Sequence, residues 1–151
     1  MRLKLNPYYL VGFIDGEGCF SISLCKHKTL KQRKEVRLAF EIELRNDDRE
    51  ILERVRDTLK CGQIYKLDYE RYGWRPHVKY KISKFSDIAD KLIPFLKKYP
   101  LQAKKAKSFK IFVKAMELMK NREHLTVKGI QKFEKLQQRM RKIGKKNFDN
   151  R

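Results

Sequence analysis

One segment of this chain, Leu10-Val11-Gly12-Phe13-Ile14-Asp15-Gly16-Glu17-Gly18, restricts its fold more than any other. Its apolar residues suit a helix. Gly12 and Gly16 lie four apart, so they stack on one helix face and leave it nearly bare. A bare face admits a second helix at short range, as small-xxx-small patterns do. Gly18 marks the expected helix end. Asp15 and Glu17 then sit at the negative end of the helix dipole, where an acid is disfavoured by roughly half a kcal/mol. Acids placed there imply a cation to hold.

After this helix the periodicity changes from helical to alternating. Phe20, Ile22 and Leu24 fall on one side of a strand, and Ser21, Ser23, Cys25 and His27 on the other. A basic connection leads to a second alternating run, with Val36, Leu38, Phe40, Ile42 and Leu44 on its apolar side. Asp47-Asp48-Arg49-Glu50 has the spacing of a capping box. It predicts a helix with the stripe Ile51, Leu52, Val55 and Leu59, ending at Gly62. Residues 64–69 and 77–83 predict a hairpin around Gly73. Ser86 is the expected cap of a further helix that Pro94 kinks or shortens. A long helix follows Pro100, with Ala106, Phe109, Phe112, Val113, Met116 and Met119 as its apolar stripe. Thr126 caps a last helix that turns Ile130, Phe133, Leu136, Met140 and Ile143 inward. The expected class is α+β: αββαββα around a four-stranded antiparallel sheet, then two more helices. Residues 1–143 make one expected domain, and 144–151 a loose basic tail.

With 151 residues, a core for one domain is affordable. Lys and Arg outnumber Asp and Glu by 38 to 18, a formal charge of +20. Such an excess opposes compaction and fits a polyanionic partner. A thermophile surface would raise both signs together. Six basic residues and one acid lie between Lys26 and Arg37, and nine and one between Lys97 and Arg122. No apolar run reaches membrane-spanning length, and Met1-Arg2-Leu3-Lys4 does not open an apolar leader. Three cysteines, Cys19, Cys25 and Cys61, lack zinc spacing. These features predict an intracellular protein, cytoplasmic, nucleoid-associated or organellar, neither secreted nor in a membrane.

The nine-residue segment resembles the LAGLIDADG signature of homing endonucleases and their maturase relatives. Leu10, Gly12, Ile14, Asp15 and Gly18 match it letter for letter, and Glu17 replaces Asp with the same chemistry. The order of elements agrees, and Lys98 to Lys105, Phe109 and Asn121 to Thr126 resemble a second block of intron-encoded members. The resemblance implies paired motif helices at a twofold axis and Mg2+-dependent cleavage of both strands of double-stranded DNA at a long site. Another divalent cation such as Mn2+ is an acceptable substitute. Glu17 and the Gly16 carbonyl are the implied metal ligands, and Lys104 or Lys105 the implied catalytic lysine. The glutamine that some homodimeric members carry near the active site falls near Leu44 here, a departure that leaves the water-positioning group open.

Because the signature occurs once, a homodimer through Gly12, Phe13, Asp15 and Gly16 is expected, reading a palindrome-like target. The DNA-reading set predicted from alternation is Ser21, Ser23, Cys25, His27, Arg37, Glu41, Glu43, Gln63, Tyr65, Lys79 and Lys81, with Arg33 from the basic connection. Its mixture of donors and acceptors suits base edges, since phosphates alone call for Lys and Arg. The alternatives are an intron maturase, the one reading with an RNA partner, and a DNA-binding regulator that does not cut.

Overall fold

The computed structural model describes residues 3–144. Asn6 opens the first helix: its Oδ1 accepts from Tyr8 N at 2.9 Å, and Pro7 follows with its φ already helical. This helix, α1 (Pro7–Glu17), runs into strand β1 (Gly18–Lys26). Then come β2 (Lys34–Arg45), α2 (Arg49–Leu59), β3 (Gln63–Leu67) and β4 (His77–Ile82). Helical segments α3 (Phe85–Asp87) and α4 (Ile93–Lys98) follow, then α5 (Lys105–Lys120) and α6 (Val127–Gly144). The protein is α+β, with one four-stranded antiparallel sheet in the order β1-β2-β4-β3. The last part of the expected tail, 145–151, lies outside the described residues; Gly144 belongs to α6.

The chain divides into two compact units. The described part of the first is 3–20 with 39–106, and of the second 21–38 with 107–144. In the first, Leu10 and Ile14 of α1, Phe40 and Ile42 of β2, Leu52 and Val55 of α2, and Val78, Tyr80 and Ile82 of β4 are fully buried. The register follows from this burial. Ile42 stands opposite Tyr80 and Tyr80 opposite Ile64, so these side chains share the apolar face. Tyr80 satisfies its hydroxyl by donating to the Cys61 carbonyl at 2.6 Å. Burial pushes this phenol well above the usual tyrosine range, so it stays a donor.

In the second unit, the stripe Ile130, Phe133, Leu136 and Met140 is buried, as are Ile22, Val36 and Leu38. Two polar ties hold α6 to the hairpin: Gln137 Nε2 donates to the Ile22 carbonyl at 2.7 Å, and Lys34 pairs with Glu134 at 2.6 Å. Thr126 caps α6 as expected, accepting from Gly129 N at 2.9 Å. On α5 the buried residues are Ile111, Phe112, Ala115 and Met116, while Val113 and Met119 are half-buried; the stripe is rotated from the expected one.

Three local expectations fail, each for a physical reason. The capping box does not form: residues 46–48 make a 3-10 turn, Asp48 makes no side-chain cap bond, and Asp47 pairs with Arg45 at 3.2 Å. Helix α2 ends at Leu59, because Lys60 already takes the left-handed conformation at φ 60°. Ser86 is inside a helical turn whose cap position is Lys84. At Pro94 the α-helical ladder is interrupted. Residues 88–92 widen into a π-turn, with Ile93 N donating back to the Ile88 carbonyl, and α4 resumes with Pro94 in its first turn, where no N–H is needed.

Candidate DNA-cleavage site

Glycine serves two different purposes in the signature segment. A Cβ added at Gly12 or Gly16 would meet nothing within 4 Å, so that face of α1 is open. A Cβ at Gly18 would lie 2.8 Å from both the Ile14 carbonyl oxygen and the Phe40 ring. Gly18 is extended, at φ −75° and ψ 156°, so its glycine answers a close approach and not a left-handed turn. Beside the open face a groove of about 250 Å³ is lined by Tyr8, Val11, Gly12, Asp15, Tyr99, Pro100 and Gln102. Tyr8 meets Tyr99 edge-on, with ring centroids 5.3 Å apart.

The two acids of the segment have separate fates. Asp15 Oδ2 accepts from Gln102 N and Ala103 N, each at 2.9 Å, so this carboxylate holds the loop leading into α5. Its Oδ1 is buried with no hydrogen-bond partner among the described residues. Glu17 is exposed, and its carboxylate has neither a hydrogen bond nor an ion pair among those residues. Lys105 is half-buried and donates from Nζ to the carbonyl of Gly18, whereas Lys104 is exposed. The loop held by Asp15 therefore delivers Lys105 to the end of α1 where Glu17 stands. No cluster of three or more His, Cys, Asp or Glu side chains able to hold a metal occurs among the described residues. At the end of α1 one chain brings one carboxylate that has no partner among the described residues, together with the carbonyls there.

The sheet's polar face in the first unit has a continuous register. Glu41 stands opposite Lys81, which stands opposite Gln63; Glu43 stands opposite Lys79, which stands opposite Tyr65. All six expected residues of this unit therefore share one face. Lys79 lies 3.3 Å from Glu41 and 4.0 Å from Glu43, and Lys81 lies 3.6 Å from Glu41. Half-buried pairs at a surface like these contribute about 0–1 kcal/mol, so they orient the side chains without locking them. Sequence reasoning missed Arg45 and His77, the next row on this face. His77 Nδ1 lies 3.0 Å from Glu43 Oε2, and the Tyr69 ring packs edge-on against His77. Extending the same alternation by one row at the β2 and β4 ends would have found both.

In the second unit, Ser21, Ser23 and Cys25 alternate with the more apolar side of β1, and Arg37 is exposed on β2. Arg37 pairs with Glu35 at 3.1 Å, which raises its guanidinium pKa further. His27 and Arg33 lie in the turn after β1. His27 N donates to the Arg33 carbonyl at 2.9 Å, and Arg33, left-handed at φ 67°, turns its guanidinium to the Lys28 carbonyl at 3.3 Å. Leu44, where the glutamine of some relatives falls, stands opposite Val78 on the apolar face.

Similarity to known proteins agrees with this arrangement. A sequence model described as LAGLIDADG endonuclease matches residues 10–116. A "probable intron-encoded endonuclease 3" from Neurospora crassa is 35% identical over 126 residues, covering 83% of this chain but 22% of its own length. Among solved structures, I-SmaMI bound to uncleaved DNA target in the presence of calcium ions aligns with a TM-score of 0.85 and 31% identity, over 92% of this chain and 46% of that one. The homing endonuclease I-TnaI aligns with a TM-score of 0.83 and 28% identity, over 94% of this chain and 95% of that one. The chain thus spans less than half of the first two and nearly all of the third. No helix among the described residues is long and apolar enough to cross a membrane.

Proposed function

This chain belongs to the LAGLIDADG endonuclease family, and from that premise we propose that it is a site-specific DNA endonuclease of the homing type. It cuts both strands of a long, palindrome-like duplex as a homodimer, with Mg2+ or a similar divalent cation such as Mn2+, inside the compartment that holds that DNA. Residues 1–143 act as one domain; the family match runs through parts of both compact units, which supports this.

The observation that carries the reading is Glu17, a carboxylate without a partner among the described residues, at the negative end of α1 and beside the bound Lys105. Glu17 and the Gly16 carbonyl would hold the cation. When bound, it relieves charge at the scissile phosphate and eases loss of a proton from the attacking water. Lys105 is the residue we assign to the phosphate, because its ammonium is held at the end of α1; exposed Lys104 adds general attraction. Two free carboxylates are needed to serve two strands, and one chain brings one. The open Gly12/Gly16 face and its neighbouring groove accommodate the helix of a second copy, with Phe13 and Asp15 flanking the contact. Glu41, Glu43, Gln63, Tyr65, Lys79 and Lys81 read base edges from one unit, and Ser21, Ser23, Cys25 and Arg37 from the other. His27 and Arg33 contact backbone from the turn.

Selection of cleaved duplexes from a randomised library, with Mg2+ and with excess EDTA, tests this. Recovery of one enriched long site with Mg2+, lost in EDTA and with Glu17→Gln, is expected. Cutting at full rate by Glu17→Gln would place the chemistry elsewhere. Specific binding with no cutting in any divalent cation would favour the non-cutting regulator.

A further inference from the structure

Between α5 and α6 lies a cleft of about 370 Å³, lined by Lys107, Lys110, Ile111, Lys114, Arg139, Lys142 and Ile143. All seven residues belong to helices of the second unit, and no strand residue lines the cleft. Five of the seven are cations and none is an acid. The spacing is deliberate in its effect. Lys107, Lys110 and Lys114 fall at i, i+3 and i+7, so they share one stripe of α5; Arg139 and Lys142 fall at i and i+3 on α6. The five are exposed, and none forms an ion pair with a described residue. Ile111 is buried and Ile143 half-buried, which gives the cleft an apolar floor beneath its cationic rims.

Helix stability does not account for this arrangement. Like charges three or four apart each destabilise a helix by roughly 0.2–0.5 kcal/mol, and two such helices face each other here. Glu134, the acid of α6, is engaged with Lys34 instead, and Glu117 of α5 is not in the lining. Elsewhere the same helix accepts compensation, for Lys132 pairs with Glu123. A solvated helix face would be expected to mix signs. A concave, single-sign surface focuses positive potential and suits a chain of evenly spaced anions.

We propose that this cleft is a second nucleic-acid site, which takes a stretch of phosphodiester backbone distinct from the duplex on the sheet's polar face. Ligand recognition is by charge on the phosphates, with the apolar floor carrying the sugar edges, so it is independent of base sequence. The backbone has two possible sources, an RNA strand or DNA continuing beyond the cleavage site.

The test compares two triple variants of equal charge change. Lys110→Ala/Lys114→Ala/Arg139→Ala empties the cleft, and Lys128→Ala/Lys135→Ala/Arg141→Ala removes three exposed cations from α6 outside it. The probes are a labelled mixed-sequence RNA strand and a labelled mixed-sequence DNA duplex, each titrated over a salt series. For whichever probe occupies the cleft, the cleft variant should lower the log K against log salt slope by about 2–3, at roughly 0.7–0.9 per lost phosphate contact. The control variant should change it much less. An effect confined to RNA names RNA as the source, and one confined to the duplex names DNA. Thermal unfolding checks that both variants fold, and relief of like-charge repulsion should leave the cleft variant at least as stable at low salt. Equal changes for both triples on both probes would overturn the proposal, as would no change for either.

Discussion

The Lys105 ammonium donates to the main-chain carbonyl of Gly18, the residue directly after Glu17. A lysine held at that point cannot be exchanged for its neighbour, since Lys104 is exposed in the turn that precedes α5. Lys105→Met should therefore slow cutting by about a hundredfold or more while DNA affinity changes only a few-fold. Lys104→Met should affect binding and cutting alike and only weakly. Single-turnover cleavage and equilibrium binding on one duplex separate the two. The reverse ranking would return the role to Lys104, and normal cutting by both would direct attention to Lys79 and Lys81.

The glycines of the signature segment should divide into two classes. A Cβ at Gly12 meets nothing within 4 Å, so Gly12→Leu should keep the parent's circular dichroism yet sediment as a monomer. Gly18→Ala forces its Cβ against the Ile14 carbonyl and the Phe40 ring, and should lose about 1–3 kcal/mol of stability. A stable Gly12→Leu dimer would remove the open face from the interface.

Glu43 is met by His77, Lys79 and, at 3.4 Å, the Tyr69 hydroxyl. These exposed contacts are weak enough to be given up to a base. Glu43→Ala should relax preference at one target position by roughly 1–3 kcal/mol and leave the others intact. Profiling cleavage on all single-base changes at fixed salt reads this. A uniform loss of affinity across every sequence would mean that this face holds backbone only.

Tyr80→Phe removes a buried donor and strands the Cys61 carbonyl that it serves. A loss of about 1–2 kcal/mol in denaturant unfolding is expected. Gly62→Ala should lose more. Its φ is 92°, and the new Cβ would fall 2.5 Å from the Tyr80 ring. Parity between Tyr80→Phe and the parent would mean that the Cys61 carbonyl finds water.

Much of this architecture could be read from order and period alone. Alternation through Glu41, Glu43, Lys79 and Lys81 placed the polar face correctly, because a strand has only two sides and the Ile42–Tyr80 side had to be buried. Helix ends were less legible. Asp47 and Asp48 have the chemistry of caps, yet Arg45 takes Asp47, and no spacing rule records that competition. Ser86 failed likewise, since a hydroxyl before an apolar stripe does not reveal that the chain is already helical at Phe85.

The signature segment by itself determined the family, the helix and the acid at its end. It could not divide the labour between its two carboxylates, which differ by two positions and share one chemistry. Tertiary structure decided that Asp15 is spent on the amides of Gln102 and Ala103, while the Glu17 carboxylate has no partner among the described residues. The same loop brings Lys105, 87 residues away from Gly18 in sequence, to the end of α1. A nonlocal hydrogen bond depends on how the intervening elements pack, and local sequence carries only the groups that can make it.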